Sequence, residues 1–128
     1  MNALLDTHTF IWHLEGNLKL SRDARDIIES LDNKLHVSIA SFWEIAIKIG
    51  KGKLTLQNPF HDLEDVLKQI GIEVLPITFS DTEFYLNLPL HHNDPFDRML
   101  IAQASNHALV IVSADTAFDA YPVQRVWT

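Results

Sequence analysis

The stretch DPFDRMLIAQASNHALVIVSAD, residues 94–115, decides the fold. Its first half predicts a helix over Pro95–His107, with Asp94 as N-cap and a proline at the first helical position. The continuous apolar run Leu109–Val112 then predicts a central strand, since it lacks the polar alternation of a half-exposed strand. A helix followed closely by a buried strand is one unit of a parallel α/β sheet.

The rest of the chain repeats this alternation on both sides of that stretch. Short apolar runs predict strands at Ala3–Leu5, Leu35–Val37 and Glu73–Ile77 and a last edge strand at Val123–Trp127, and Pro76 indicates that the third strand is also an edge. Helical signals predict helices at Thr9–Glu15, from Ser21 to Asn33, Ala40–Ile49, Phe60–Ile70 and Ser80–Asn87, the last with a capping box of Ser80 and Glu83, and a turn at Thr116–Ala120. The order predicts an α/β fold, one small parallel sheet with helices on both faces.

Length and composition predict a single soluble domain over residues 1–128. The sequence has no cysteine, which excludes disulfides and thiolate metal sites and agrees with a reducing compartment. No basic, apolar leader and no membrane-spanning stretch is visible, so we expect a cytoplasmic protein with no membrane association.

The net charge is −7, from 10 basic and 17 acidic residues. Such a balance argues against a basic nucleic-acid-binding surface. It does not argue against a nuclease whose acids bind a cation, because bound Mg²⁺ reverses the local field.

Four acids, Asp6, Glu44, Asp97 and Asp115, stand where predicted strands end and predicted helices begin. The carboxyl ends of parallel strands meet at one edge of a sheet, so we expect these side chains to converge there. Carboxylates brought together repel one another and stay ionised together only when they share a cation. The placement therefore predicts a divalent metal site, and open carboxylate sites of this kind usually act on phosphates.

Three of these acids also have a structural interpretation. Asp6 and Asp115 suit N-caps of the helices that follow them. Glu44 suits the third position of a capping box opened by Ser41, and it can pair with Lys48 one turn further along the helix.

Asp97 has no such role, because Asp94 already supplies the N-cap of its helix. The positive ends of helices contribute only about 0.3–1 kcal/mol per group, which is too little to hold four carboxylates together. A shared cation explains the joint placement better than four separate caps.

The seven histidines do not form a zinc-binding pattern. His8 and His13 are five positions apart, which places them on different faces of a helix, and no HExxH pattern occurs. His91 and His92 are adjacent, and we expect them on a loop near the cleft, where either can touch substrate.

Four segments of the chain resemble those of PIN-domain ribonucleases, in particular the VapC-type toxins of VapBC toxin–antitoxin systems. They follow one another in the family's order, over nearly the whole length, at Leu4–His8, Ser41–Lys48, Asp94–Ala104 and Val112–Phe118.

By that resemblance, Asp6, Glu44, Asp97 and Asp115 take the positions of the family's acidic metal-binding quartet, and Ser113 that of a small hydroxyl residue before the last acid. The resemblance implies an endoribonuclease that hydrolyses RNA with Mg²⁺ or Mn²⁺. It also implies a cognate antitoxin as partner and a homodimer.

Two other functions agree with parts of the sequence. A phosphatase or phosphotransfer domain with an aspartyl nucleophile would suit Asp6 after the first strand, although His8 stands where that chemistry expects a second acid. A non-catalytic binding module that kept the fold for partner contact is the second alternative.

Overall fold

The computed structural model describes residues 1–128 as a five-stranded sheet with helices on both faces. The strands are β1 (Asn2–Leu5), β2 (Lys34–Ser38), β3 (Ile72–Leu75), β4 (Val110–Val112) and β5 (Arg125–Val126). The helices are α1 (Thr7–Glu15), α2 (Arg22–Glu29), α3 (Ile39–Gly50), α4 (Leu63–Ile70), α5 (Phe79–Leu86) and α6 (Pro95–His107), with 3₁₀ turns at Phe60–Asp62 and Thr116–Ala120. The predicted α/β fold is confirmed. None of these helices has the length and apolar character needed to span a bilayer.

All strand pairs are parallel, and the strand order is β3-β2-β1-β4-β5. The chain therefore builds outward from β1 to one edge and then returns to add β4 and β5 on the other side. The order reverses between β1 and β4, and the crevice beyond the carboxyl ends of two such strands is where open α/β sheets bind ligands.

Strand β1, in the middle of the sheet, is buried on both faces, as its continuous apolar sequence requires. Ala3 and Leu5 face one core cluster, and Leu4 between them faces the other. The first cluster fills the space toward α1, α2 and α4, and the second packs against α6. This two-sided burial fixes the depth at which β1 ends and Asp6 begins.

Two predicted capping boxes are wrong. Helix α3 begins at Ile39 because Ser38 ends β2 and caps the helix, accepting from the Ala40 N–H at 3.0 Å, so Ser41 does not cap it. Helix α5 is capped by Thr78 and Asp81, two residues before the predicted pair Ser80 and Glu83. Strand β3 ends at Leu75, before the predicted end at Ile77, and this makes room for the earlier cap of α5. Strand β2 instead runs one residue beyond its predicted end, to Ser38, and the chain turns directly from that residue into α3.

Candidate metal centre

Asp6 is fixed where β1 ends and α1 begins. Its Oδ1 accepts from the Thr9 N–H at 2.8 Å, which is the predicted N-cap bond, and its Oδ2 accepts from Ser113 Oγ at 2.5 Å. Ser113 follows β4 and also accepts from the Asp115 N–H at 3.0 Å. The Ser113 hydroxyl thus links Asp6 to the turn that carries Asp115. Asp6 caps α1 as predicted and also lies in the crevice between β1 and β4.

Glu44 reaches the same edge from the first turns of α3. Its Oε1 accepts from Thr7 Oγ1 at 2.7 Å, and its Oε2 lies 2.9 Å from Lys48 Nζ. Ser41, freed from capping, lies 2.9 Å from the same Thr7 hydroxyl. Glu44 is buried, so these contacts hold its carboxylate in one orientation facing the residues that follow β1.

Asp97 and Asp115 approach each other from α6 and the turn after β4. Ligating atoms of Asp97, Asp115 and His92 all lie within 4.8 Å of one another. Asp97 Oδ2 is 3.1 Å from His92 Nε2, and Asp115 Oδ1 caps the short 3₁₀ turn through the Ala117 N–H. One oxygen of each acid is then left without a hydrogen bond from the protein.

The pKa of Asp97 reflects its burial and the acids around it. Burial raises the pKa of Asp97 to about 7 from an ordinary 3.8, with further increases from the negative charges of Asp94, Glu44, Asp6 and Asp115. The other three predicted acids therefore each act on Asp97 through space, together with Asp94, the capping acid of α6. A divalent cation fits such a site, because its charge would remove the repulsion and the donors are the carboxylate oxygens that Mg²⁺ and Mn²⁺ prefer.

A cleft of about 260 Å³ opens beside two of these acids, Asp6 and Asp115. Its walls come from the turns after β1 and β4, at Asp6, His8, Trp12, Ala114 and Asp115. Asp115 is exposed in this cleft whereas Asp6 lies at its base. The site is thus accessible to a ligand from the carboxyl edge of the sheet.

His92 contacts Asp97 in this site, a pairing that the sequence did not predict. The predicted loop position is correct for both adjacent histidines, but His91 is exposed and stacks edge-on against Tyr121, whereas His92 turns inward to Asp97. The available signal was its position two residues before Asp94, because a histidine there can accept from the capping residue's own N–H.

Comparisons with known proteins agree with this architecture. The PIN domain family model matches residues 3–124. The fold is similar to a chain of VapBC2 from Rickettsia felis bound to a DNA fragment from their promoter, with a TM-score of 0.73 and 15% identity over 100% of both chains. It is also similar to a chain of VapBC-1 from nontypeable Haemophilus influenzae, with a TM-score of 0.69, 17% identity and coverage of 98% of this chain and 97% of that one.

A third similar structure is VapBC-5 from Mycobacterium tuberculosis, a member of the VapBC family of toxin-antitoxin systems. The TM-score is 0.62 and the identity 17%, over 99% of this chain and 98% of that one. A comparison with curated protein sequences gave no match. At these identities the structural likeness shows the fold, while the family model identifies the family.

Proposed function

The chain belongs to the PIN domain family, and we propose that it is a metal-dependent endoribonuclease that serves as the toxin of a type II toxin–antitoxin pair. The observation that carries the proposal is the placement of Asp6, Glu44, Asp97 and Asp115 where the strand order reverses. Burial, with added repulsion from Asp94 and the other three acids, raises the pKa of Asp97 there to about 7. Acids held in mutual repulsion are costly for folding, so their retention in one crevice favours a function that uses them.

In this proposal Asp6, Asp97 and Asp115 hold one or two Mg²⁺ or Mn²⁺ ions, and Glu44 completes the site or orients the attacking water. Such a cation, when bound, lowers the pKa of water and neutralises charge that develops on a phosphodiester. No nucleophile from the protein is required.

The protein's own contribution is to fix these carboxylates before any ligand arrives. Thr9 and Ser113 hold Asp6, while Thr7 and Lys48 hold Glu44. Oxygens that do not reorganise during the reaction stabilise a transition state better than mobile ones. The buried, hydrogen-bonded state of Asp6 also leaves it poorly exposed as a nucleophile, which favours the nuclease over the aspartyl-phosphate alternative.

We propose RNA as the substrate, a cognate antitoxin as the partner and a homodimer as the assembly. Support for the partner comes from the three similar structures, each of which is a VapBC protein. Exposed apolar side chains on the surface of this chain agree with protein contacts, since Leu18, Leu86 and Leu90 are each more than three-quarters exposed. Light scattering of the purified chain tests the dimer.

The central experiment measures Mn²⁺ binding by calorimetry and cleavage of a labelled RNA pool of random sequence. We expect Asp6→Asn and Asp97→Asn each to reduce cleavage at least roughly 100-fold with an unchanged circular dichroism spectrum. Asp119→Asn is the matched control, because that acid is exposed on the same edge and pairs with Arg125.

A wild-type chain that binds no Mn²⁺ and cleaves no RNA would contradict the proposal and favour the non-catalytic binding module. A phosphoaspartate trapped at Asp6 would favour the phosphotransfer alternative instead.

A further inference from the structure

The loop before α6 holds His92 through an unusual set of contacts. Tyr121 Oη accepts from the N–H groups of His91 and His92, each at 3.0 Å, and donates to the Pro89 carbonyl at 2.7 Å. The buried guanidinium of Arg98 donates to the same carbonyl at 3.1 Å and to Tyr121 Oη at 3.3 Å. The backbone that carries His92 is therefore fixed by a tyrosine and an arginine whose hydrogen bonds go largely to that loop.

The tautomer of His92 follows from a local hydrogen bond. Its Nδ1 lies 3.1 Å from the backbone nitrogen of Asp94, which can only donate, so Nδ1 must carry a lone pair. A neutral imidazole has one N–H, and that proton must then be on Nε2. Nε2 lies 3.1 Å from Asp97 Oδ2 and consequently donates to it.

A proton on Nε2 also means that this nitrogen has no lone pair for a cation. Nδ1 is engaged with the backbone, so neither ring nitrogen is free to bind a metal while the Asp94 contact persists. By distance alone, His92, Asp97 and Asp115 could form a three-ligand metal site. The imidazole is excluded as a ligand because Nε2 carries the proton and Nδ1 accepts from the Asp94 N–H.

We propose that His92 is a positioning residue for Asp97: it donates from Nε2 to Oδ2, leaves the other oxygen of Asp97 to a divalent cation, and is not itself a ligand. This inference rests on the proposed metal-dependent function. It makes the donor set entirely oxygen, which suits Mg²⁺ and Mn²⁺ rather than Zn²⁺. Hydrogen bonds that orient a ligating side chain commonly change metal affinity when they are removed.

The first test needs no metal. Two-bond ¹H–¹⁵N spectra of the histidine rings in metal-free protein report which nitrogen is protonated, and the signals of His92 are those that disappear in His92→Gln. We expect the Nε2–H tautomer at pH 8. A Nδ1–H tautomer would overturn the inference whatever the protein's activity.

The second test separates a positioning role from ligation by using Mn²⁺. His92→Ala should weaken Mn²⁺ binding roughly 10- to 100-fold, whereas His92→Gln, whose amide can donate from a similar place, should stay within about threefold of wild type. His91→Gln, at the exposed neighbouring histidine, is the control and should bind as wild type does.

Pulsed electron paramagnetic resonance of the Mn²⁺ complex completes the test. We expect the nitrogen modulation to be the same in wild type and His92→Gln. A coordinated-nitrogen signal that is present in wild type and absent in His92→Gln would overturn the inference, as would unchanged binding by His92→Ala. Failure of wild type to bind Mn²⁺ at all would instead overturn the proposed function, and this role for His92 with it.

Discussion

The raised pKa of Asp97 predicts that the metal-free protein becomes less stable as pH rises, and that Asp97→Asn removes the effect. Between the unfolded value of 3.8 and the folded value of about 7, the folded chain keeps a proton that the unfolded chain has lost. Stability therefore falls with rising pH across that window, because the folded state binds more protons. This sign is opposite to that of an acid stabilised by a salt bridge.

The magnitude follows from the two values. Relative to strongly acidic solution, the linkage costs about 1.5 kcal/mol at pH 5 and about 4 kcal/mol at pH 8, so the difference between these pH values is about 2.5 kcal/mol. Asp97 is 22% exposed, which keeps solvent screening modest. Asp97→Asn has no titrating group there, and its stability should lack this decline.

Urea unfolding in the presence of a chelator, followed by tryptophan fluorescence from pH 5 to 8, measures the effect. Burial lowers the pKa of His13 and His36, and these groups add stability as pH rises, so only the difference between wild type and variant is diagnostic. Asp119→Asn is the control: pairing with Arg125 lowers the pKa of Asp119, and its titration falls below this window.

Parallel curves for wild type and Asp97→Asn would refute the reasoning, because they would mean that folding does not raise the pKa of Asp97. In metal-free solution at pH 8 we expect wild type to be less stable than Asp97→Asn, and saturating Mn²⁺ should make wild type the more stable of the two. A cation that binds only the folded state stabilises wild type by mass action, and the variant has lost one carboxylate of the site.

Three further predictions concern the frame around the site. Asp81→Ala should lose about 3 kcal/mol of unfolding free energy, measured by urea titration, because Asp81 is fully buried and accepts from four donors; a loss under about 1 kcal/mol would contradict this. Tyr121→Phe should lower the free energy of unfolding by about 1–3 kcal/mol, measured by thermal unfolding, because the N–H groups of His91 and His92 lose the hydroxyl that accepts from them. The loop that carries His92 is then less well fixed, so Mn²⁺ binding should also weaken. Lys48→Met should cost about 1 kcal/mol, with positive coupling to Glu44→Gln in a double-mutant cycle.

The fold and the gathering of the acids could be predicted from the sequence because both depend on local order along the chain. Each apolar run ends at a polar residue, and in a parallel sheet those ends share an edge. Asp6 and Asp115 follow adjacent strands, which the pairing of β1 with β4 bears out. Asp97 could be singled out because Asp94 already caps α6, as its contacts with the Phe96 and Asp97 N–H groups confirm.

What escaped prediction depends on contacts between distant residues. Ser38 and Ser41 both suit an N-cap, and the choice between them follows from where β2 ends against its neighbours. Only the earlier cap leaves Ser41 free to meet Thr7, 34 positions away. The orientation of His92 similarly requires Tyr121, 29 positions further along the chain. No periodicity within one element carries that information.

The placement of α6 explains how a repulsive site persists in a small domain. At its N-terminal end the buried Arg98 donates to carbonyls and to Tyr121 and makes no salt bridge with a carboxylate. At its C-terminal end Asn106 and His107 contact the buried Asp81 of α5.

The helix is thus held to its surroundings at both ends by polar contacts that do not involve the four acids. Those contacts resist the movement by which Asp97 would otherwise relax away from its neighbours, so the repulsion is retained in the folded chain. The contacts between α5 and α6 offset the free energy that the repulsion among the acids costs the folded state. The acids therefore stay in an arrangement that can bind a cation.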